Sequence, residues 1–180
     1  MRPLLEGCWR GARLDEPALT SSAGIAVVHY KEDLRFALEA ARNAERQAKT
    51  NGRDLLALAV CRRSGEHSTA LVPWHIVPDV QRLISQFKAE DGPSDRWAYK
   101  LRVEHDSLRL LEWEGMKSEV RRLIRRVEAD SEGFSEQVFE LLDTCRVGFV
   151  GRPGGQADDV LANFITRCQS AAFLARGRDA

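Results

Sequence analysis

Cationic residues in three places are the candidates for chemistry in this chain. Lys49 and Arg53 flank an Asn-Gly pair that is typical of a helix end, where a cation also stabilises the helix dipole. For Arg53 two roles are open: its guanidinium contacts a phosphate, or it forms an ion pair with Glu45 or Asp54. Arg62 and Arg63 precede a Ser-Gly turn, so they are predicted to lie at an exposed hairpin tip.

The densest basic surface is predicted on one helix. Its four arginines cover about half of the helix circumference and alternate with an apolar face; they are Arg121, Arg122, Arg125 and Arg126. Guanidinium groups bind nucleic-acid backbones and acidic protein surfaces, so this helix and the Arg62-Arg63 tip are candidate contacts to RNA or to a neighbouring subunit. For both groups the alternative is an ordinary solvated surface.

No self-contained active site or metal site is predicted. The four histidines show no partner spacing for a nucleophile relay or a metal, and no G-x-S-x-G motif is present. The four cysteines are far apart, which favours reduced thiols in the core over a zinc site. Asp158 and Asp159 follow Gly154-Gly155 at a distance that places them in the first turn of a helix, where acids offset the macrodipole.

Charge and hydropathy limit the partners. The 27 basic and 27 acidic residues balance, so contact with nucleic acid has to come from a local patch. There is neither a long apolar run nor a basic-then-apolar leader, so we predict a cytoplasmic protein without a membrane span.

The residues that position these cations form a predicted β-α-β-β unit. Residues 22–30 are small and β-branched, as in a buried strand, and the apolar period then changes to that of a helix from Lys31 to Asn51. Residues 55–61 and 69–74 are two further strands. Because a long helix joins the first two strands, they should lie parallel in one sheet.

Beyond Trp74 the pattern is helical. Five amphipathic helices with short breaks occupy roughly residues 78–176 and predict a helical bundle. The predicted class is α+β, with an irregular lead-in at 1–20, a sheet unit at 21–75 and a helical domain at 76–180.

Ordered motifs in the sheet unit resemble a known family. S-A-G-I-A begins at Ser22, A-K-x-x-G-R spans Ala48 to Arg53, and C-R-R-S-G-E spans Cys61 to Glu66. This set resembles the second half of a GGDEF-type nucleotide cyclase palm, which is half of a ferredoxin-like fold. It resembles more closely the large, polymerase/cyclase-like signature subunit of type III-B CRISPR effector complexes. We therefore expect the C-terminal part of such a subunit.

The resemblance implies a function in antiviral defence and a set of contacts. Ser22, Lys49 and Arg53 would lie near the nucleotide, with Lys49 on its phosphate. ATP with Mg²⁺ or Mn²⁺ is implied for the intact, cyclic oligoadenylate synthase-like subunit only, and no cofactor for this chain alone. Other CRISPR effector subunits, guide RNA and target RNA are the implied partners.

The metal-binding half of such a palm is missing from this sequence. No G-G-D-D or G-G-D-E-F motif precedes Ser21, so we expect the chain to be inactive alone. A half-palm should leave a sheet edge and apolar residues exposed (Ile25, Val27, Leu56 and Leu58) unless a second copy or residues 1–20 cover them. A stand-alone divergent cyclase and an RNA-binding α+β module are the alternatives; the second is disfavoured because aromatic residues stand only at strand ends.

Overall fold

The computed structural model describes residues 20–127, 132–150 and 157–176. Within these ranges the chain is α+β, as predicted, with a β-α-β-β unit followed by a short 3-10 turn and a run of helices. The elements in chain order are β1 (Ala23–Val27), α1 (Leu34–Thr50), β2 (Leu55–Cys61), β3 (His67–Pro73), the 3-10 turn Trp74–Ile76, α2 (Val77–Lys88), α3 (Arg96–Leu108), α4 (Trp113–Val127), α5 (Glu132–Val150) and α6 (Ala157–Arg176).

The predicted parallel pairing is confirmed. β1 and β2 are neighbours with Ala23 opposite Leu56 and Val27 opposite Val60, and the sheet order is β1-β2-β3. α1 connects the two parallel strands. It therefore runs back along the sheet and ends at the edge where both strands begin.

The first strand and the helix are both shorter than predicted. β1 ends at Val27 rather than Tyr30, because the chain turns where the amide of Glu32 donates to the carbonyl of His29 at 2.9 Å. α1 begins at Leu34 rather than Lys31, because the Asp33 carboxylate caps it by accepting from the Arg35 amide at 3.0 Å.

The end of α1 agrees with the sequence prediction. Gly52 has a φ of 98°, and the Arg53 amide donates to the Ala48 carbonyl at 3.1 Å. This six-to-one hydrogen bond is that of a Schellman motif with glycine in the left-handed position. It turns the chain from the helix into β2.

β2 and β3 form the predicted hairpin. The Arg62 amide donates to the Glu66 carbonyl at 3.1 Å, and the Gly65 amide donates to the Arg62 carbonyl at 3.0 Å. Gly65 has a φ of 82°, which a side chain would strain. β3 begins at His67, two residues before the predicted start.

The described residues divide into two compact units. One comprises residues 20–67 and 71–74, and the other comprises residues 68–70 and 75–176. In the first unit, Ala44 and Ala48 of α1 are almost fully buried, as are Leu55 and Val60 of β2. In the second unit, α6 packs against α2, α3 and α5, and the rings of Phe87, Trp97 and Phe134 form one cluster.

The half-palm face is only partly exposed. Ile25 is 48% exposed, and Val27 and Leu56 are half-buried. Leu58, the fourth residue of the predicted face, is buried. On the helix, Leu34 and Leu38 are exposed. The predicted lead-in at residues 1–20, and its pairing with the sheet edge, lie outside the described residues except for Thr20.

Candidate functional site

The topology brings Ser22, Lys49 and Arg53 to one end of the β-α-β unit. Ser22 directly precedes β1, Lys49 lies in the last turn of α1, and Arg53 stands two residues before β2. Because β1 and β2 are parallel, both strands begin at the edge where α1 ends. Residues far apart in sequence thus share one edge of the sheet unit.

A surface cleft of about 340 Å³ lies between the start of β1 and one face of α1. It is lined by Ser22, Ala23, Gly24, Leu38, Ala41, Arg42 and Glu45. The lining combines the hydroxyl of Ser22, the cation of Arg42 and the carboxylate of Glu45 with apolar residues. A cleft of this composition suits a ligand that has both polar and apolar parts.

Gly24 allows α1 to approach β1 closely. A Cβ atom on Gly24 would lie 2.3 Å from the amide nitrogen of Glu45 and 2.5 Å from the carbonyl oxygen of Ala41. Both atoms belong to the backbone, so a side chain at this position would force the helix away from the strand. The close approach at Gly24 is a packing contact between strand and helix.

Trp74 fixes the chain just before Ser22. Its indole Nε1–H donates to the carbonyl oxygen of Ser21 at 2.8 Å. Both residues belong to the sheet unit. A hydrogen bond between distant parts of the sequence therefore restrains the backbone that carries the Ser22 hydroxyl.

Lys49 is engaged within its own helix. Its Nζ lies 2.7 Å from Oε1 of Glu45, one turn earlier, and both side chains are about half exposed. The hydrogen bond and the charge of Lys49 lower the pKa of Glu45. An exposed ion pair of this kind contributes little, so the ammonium can exchange Glu45 for a phosphate at small cost.

Arg53 has an uncommon backbone conformation. Its φ is 59° and that of Asp54 is 51°, so two non-glycine residues in succession adopt the left-handed region. The side chain of Arg53 is exposed. The Schellman turn thus presents this guanidinium beside the last turn of α1.

The hairpin arginines differ in exposure. The side chain of Arg62 is only 12% exposed, and its Nη1 lies 3.4 Å from Oε2 of Glu66. Arg63 is exposed. Of this predicted pair, Arg63 is the residue that presents its charge to solvent.

The four arginines of α4 also separate into two kinds. The guanidinium of Arg121 lies 4.5 Å from the ring centroid of Phe139, and Nε of Arg122 donates to both carboxylate oxygens of Glu119 at 2.9 and 3.0 Å. This contact raises the pKa of Arg122 and lowers that of Glu119. Arg125 and Arg126 are exposed in the last turn, while Leu123 and Ile124 form the predicted core face.

Sequence reasoning did not identify Glu45 and Arg42 as cleft residues. The i,i+4 spacing of Glu45 and Lys49 was a readable signal for an ion pair. Arg42 could be placed only once the helix had been oriented on β1. In the described ranges no cluster of three or more His, Cys, Asp or Glu side chains is arranged to hold a metal. None of the helices described is both long and apolar enough to cross a membrane.

Two comparisons relate the chain to known proteins. Residues 5–57 match the family described as Cas10/Cmr2, second palm domain. A stretch of 63 residues is 41% identical to the CRISPR system Cmr subunit Cmr2 of Pyrococcus furiosus, which is 34% of this chain and 7% of that relative. The type III-B resemblance is confirmed.

The Cas10/Cmr2 palm match includes part of the candidate site. Ser22, Lys49 and Arg53 lie inside the matched residues, as do Gly24 and Glu45. Arg62, Arg63 and the α4 arginines lie beyond its end. The chain spans only about 7% of the length of the Cmr2 relative, and the palm description comes from the family match at residues 5–57.

Proposed function

We propose that residues 21–75 form the second half of a Cas10/Cmr2-type palm and contribute to its nucleotide site. This palm belongs to the large subunit of a type III CRISPR effector, which acts in antiviral defence. One observation carries the proposal. The parallel β1-α1-β2 arrangement places Ser22, Lys49 and Arg53 at one end of the segment that matches the palm family.

The chemistry of this end suits a nucleotide phosphate. Lys49 supplies a mobile point charge and Arg53 a planar guanidinium, and both classes of cation bind phosphate oxygens. Ser22 lines the neighbouring cleft, and its hydroxyl can donate to a phosphate or a ribose oxygen. ATP is the nucleotide that the resemblance implies.

The described carboxylates do not fit a divalent-metal site, so no step through a metal is assigned to this chain. Phosphodiester formation in a palm needs carboxylates that hold Mg²⁺ or Mn²⁺. Those ligands would come from another part of the intact subunit. The purified chain should accordingly give no cyclic or linear oligoadenylate from ATP and Mn²⁺; turnover would instead favour a stand-alone cyclase.

The second part of the proposal concerns partners. Arg63 and the exposed pair Arg125 and Arg126 would contact guide or target RNA or an acidic effector subunit. The edge of β1 and the exposed Ile25 would be covered by the other half of the palm, or by a second copy of this chain.

Binding of ATP to two lysine variants tests the nucleotide contact. Lys49→Ala should weaken ATP binding on the order of tenfold, the effect of one lost charge-assisted contact. Lys31→Ala makes the same charge change before α1, at the opposite end of the unit, and should leave the affinity unchanged. Equal affinities for the two variants would remove Lys49 from the site.

Reconstitution tests the assembly. The tagged chain is mixed with purified type III-B effector subunits and guide RNA, without the native large subunit. Co-elution with at least one named subunit is expected, and it should weaken for the double variant Arg125→Gln/Arg126→Gln. Recovery of neither a subunit nor RNA would contradict membership in the complex.

A further inference from the structure

A second cavity lies within the helical unit. Its volume is about 400 Å³, and it is lined by Ser68, Thr69, Arg102, His105, Ala162, Ile165 and Thr166. All of these residues belong to one compact unit, which includes residues 68–70. None of them lies within the palm match or belongs to the arginines of the hairpin and of α4.

Two buried polar atoms in this lining lack a hydrogen-bond partner among the described residues. They are Oγ of Ser68 and Nε2 of His105. A buried polar group without a partner is costly, and native proteins normally satisfy it with a ligand, an ion or water. Two residues of the lining thus each carry a buried polar atom that no described residue satisfies.

The charged groups around the cavity favour an anion. Arg102 contributes a guanidinium, whose Nη1 donates to the Gln169 side chain at 3.2 Å. Oδ1 of Asp106 lies 3.5 Å from Nδ1 of His105. A ring nitrogen of histidine that carries a proton is a hydrogen-bond donor. The described lining includes no carboxylate.

Hydroxyl groups and an apolar wall complete the cavity. Ser68 of β3 carries an O–H group that can donate, whereas the Thr166 hydroxyl already donates to the Ala162 carbonyl at 2.8 Å. Ala162 and Ile165 of α6 provide apolar surface. The volume exceeds that of a lone phosphate and lies at the lower end of the range for small-molecule sites, about 300–1,000 Å³.

We propose that this cavity binds a phosphate ester. It lies between the start of β3, helix α3 and helix α6. Arg102 and His105 contact the phosphate oxygens, Ser68 donates to one of them, and the organic part of the ligand lies against Ile165. The phosphate belongs either to a free nucleotide or to an RNA backbone. This site is independent of the proposed nucleotide contact at Lys49.

The imidazole resonances of His105 in the full-length chain report binding directly. They are assigned with His105→Gln and followed by NMR during titration with inorganic phosphate, uridine 5′-monophosphate and a short single-stranded RNA. Sodium chloride at matched ionic strength is the control. We expect a saturable shift with at least one phosphate probe and none with chloride.

Matched variants locate the contact. Arg102→Gln should weaken binding on the order of tenfold through loss of a charged donor. Arg96→Gln, the same change on an exposed residue of α3 outside the cavity, should have no effect. Ser68→Ala, which removes no described hydrogen bond, should weaken binding severalfold and decides the matter if Arg102→Gln does not fold.

The outcomes separate the source of the phosphate from the existence of the site. Saturation at lower concentrations of uridine monophosphate than of RNA identifies a free phosphomonoester, and the reverse order identifies a backbone phosphodiester. A His105 signal that responds to none of the three probes would overturn the proposal. So would equal binding by the wild type, Arg102→Gln and Ser68→Ala.

Discussion

The ammonium of Lys49 lies 2.7 Å from the carboxylate of Glu45 in the preceding turn of α1. Glu45 also lines the cleft beside Ser22. One carboxylate therefore holds the cation that we assign to a nucleotide phosphate, and it adds negative charge to the same edge of the sheet unit. Glu45 and the nucleotide compete for Lys49.

Removal of this competition should strengthen nucleotide binding. We expect Glu45→Gln to bind ATP roughly two- to fivefold more tightly, because an exposed ion pair is only weakly favourable. The measurement is a calorimetric titration at low salt. The gain should disappear in the double variant Glu45→Gln/Lys49→Ala, and a gain that persists there would mean that Glu45 acts by general repulsion.

Gly24 should be intolerant of any side chain. Gly24→Ala places a Cβ against backbone atoms of α1, which we expect to lower the free energy of unfolding by about 1–3 kcal/mol. Denaturant unfolding measures this change. Gly115→Ala is the matched control, since its Cβ meets only the Leu111 side chain at 3.8 Å and should stabilise helix α4 by about 0.5–1 kcal/mol.

The basic end of α4 should contribute to RNA binding through two arginines. We expect Arg125→Gln/Arg126→Gln to weaken binding of single-stranded RNA and to reduce the slope of log affinity against log salt by about 1.4, since each phosphate contact contributes about 0.7. Arg122→Gln should have less effect, because Glu119 already holds this guanidinium. An equal loss of RNA affinity in Arg122→Gln and in the double variant would contradict this difference between the arginines.

Buried thiols should make the fold sensitive to alkali. Burial raises the pKa of the Cys145 thiol and raises that of Cys168 well above its ordinary value of 9.0. The unfolded chain therefore releases these protons first. The stability due to the protonated thiols is fully present below pH 9.0 and is lost as the pH rises through the higher folded pKa.

Alkylation gives an independent measure of the same thiols. In a Cys8→Ser background at pH 8, we expect iodoacetamide to modify Cys145 and Cys168 far more slowly in the folded chain than in denaturant. Mass spectrometry of the labelled peptides distinguishes the two sites. Rapid modification of both cysteines under native conditions would show that this part of the helical unit opens readily.

The elements with continuous patterns were predictable from sequence. β2 has the predicted bounds, because an unbroken apolar run follows the Asn-Gly helix end and Arg62 and Arg63 follow it. The end of β1 was not predictable, since Val28 and Tyr30 have strand propensity. A turn closed by the Glu32 amide overrides that propensity.

The candidate site was predictable in part. The motif around Lys49 and the parallel pairing sufficed to place Ser22, Lys49 and Arg53 at one edge. The partial burial of Arg62 depends on packing between elements, which no local pattern encodes. The same holds for Ser68 and His105, which lie on different elements and meet at one cavity only in the fold.

Amide chemical-shift mapping of ATP binding tests the central claim most directly. If the β1-α1-β2 unit is the half of a palm that contacts the nucleotide, ATP should change the amide chemical shifts of residues 22–24 and 49–54 together. Lys49→Ala should reduce those shifts, and Lys31→Ala should not. Saturable shifts confined to other parts of the chain, or no shift at any ATP concentration, would contradict the account.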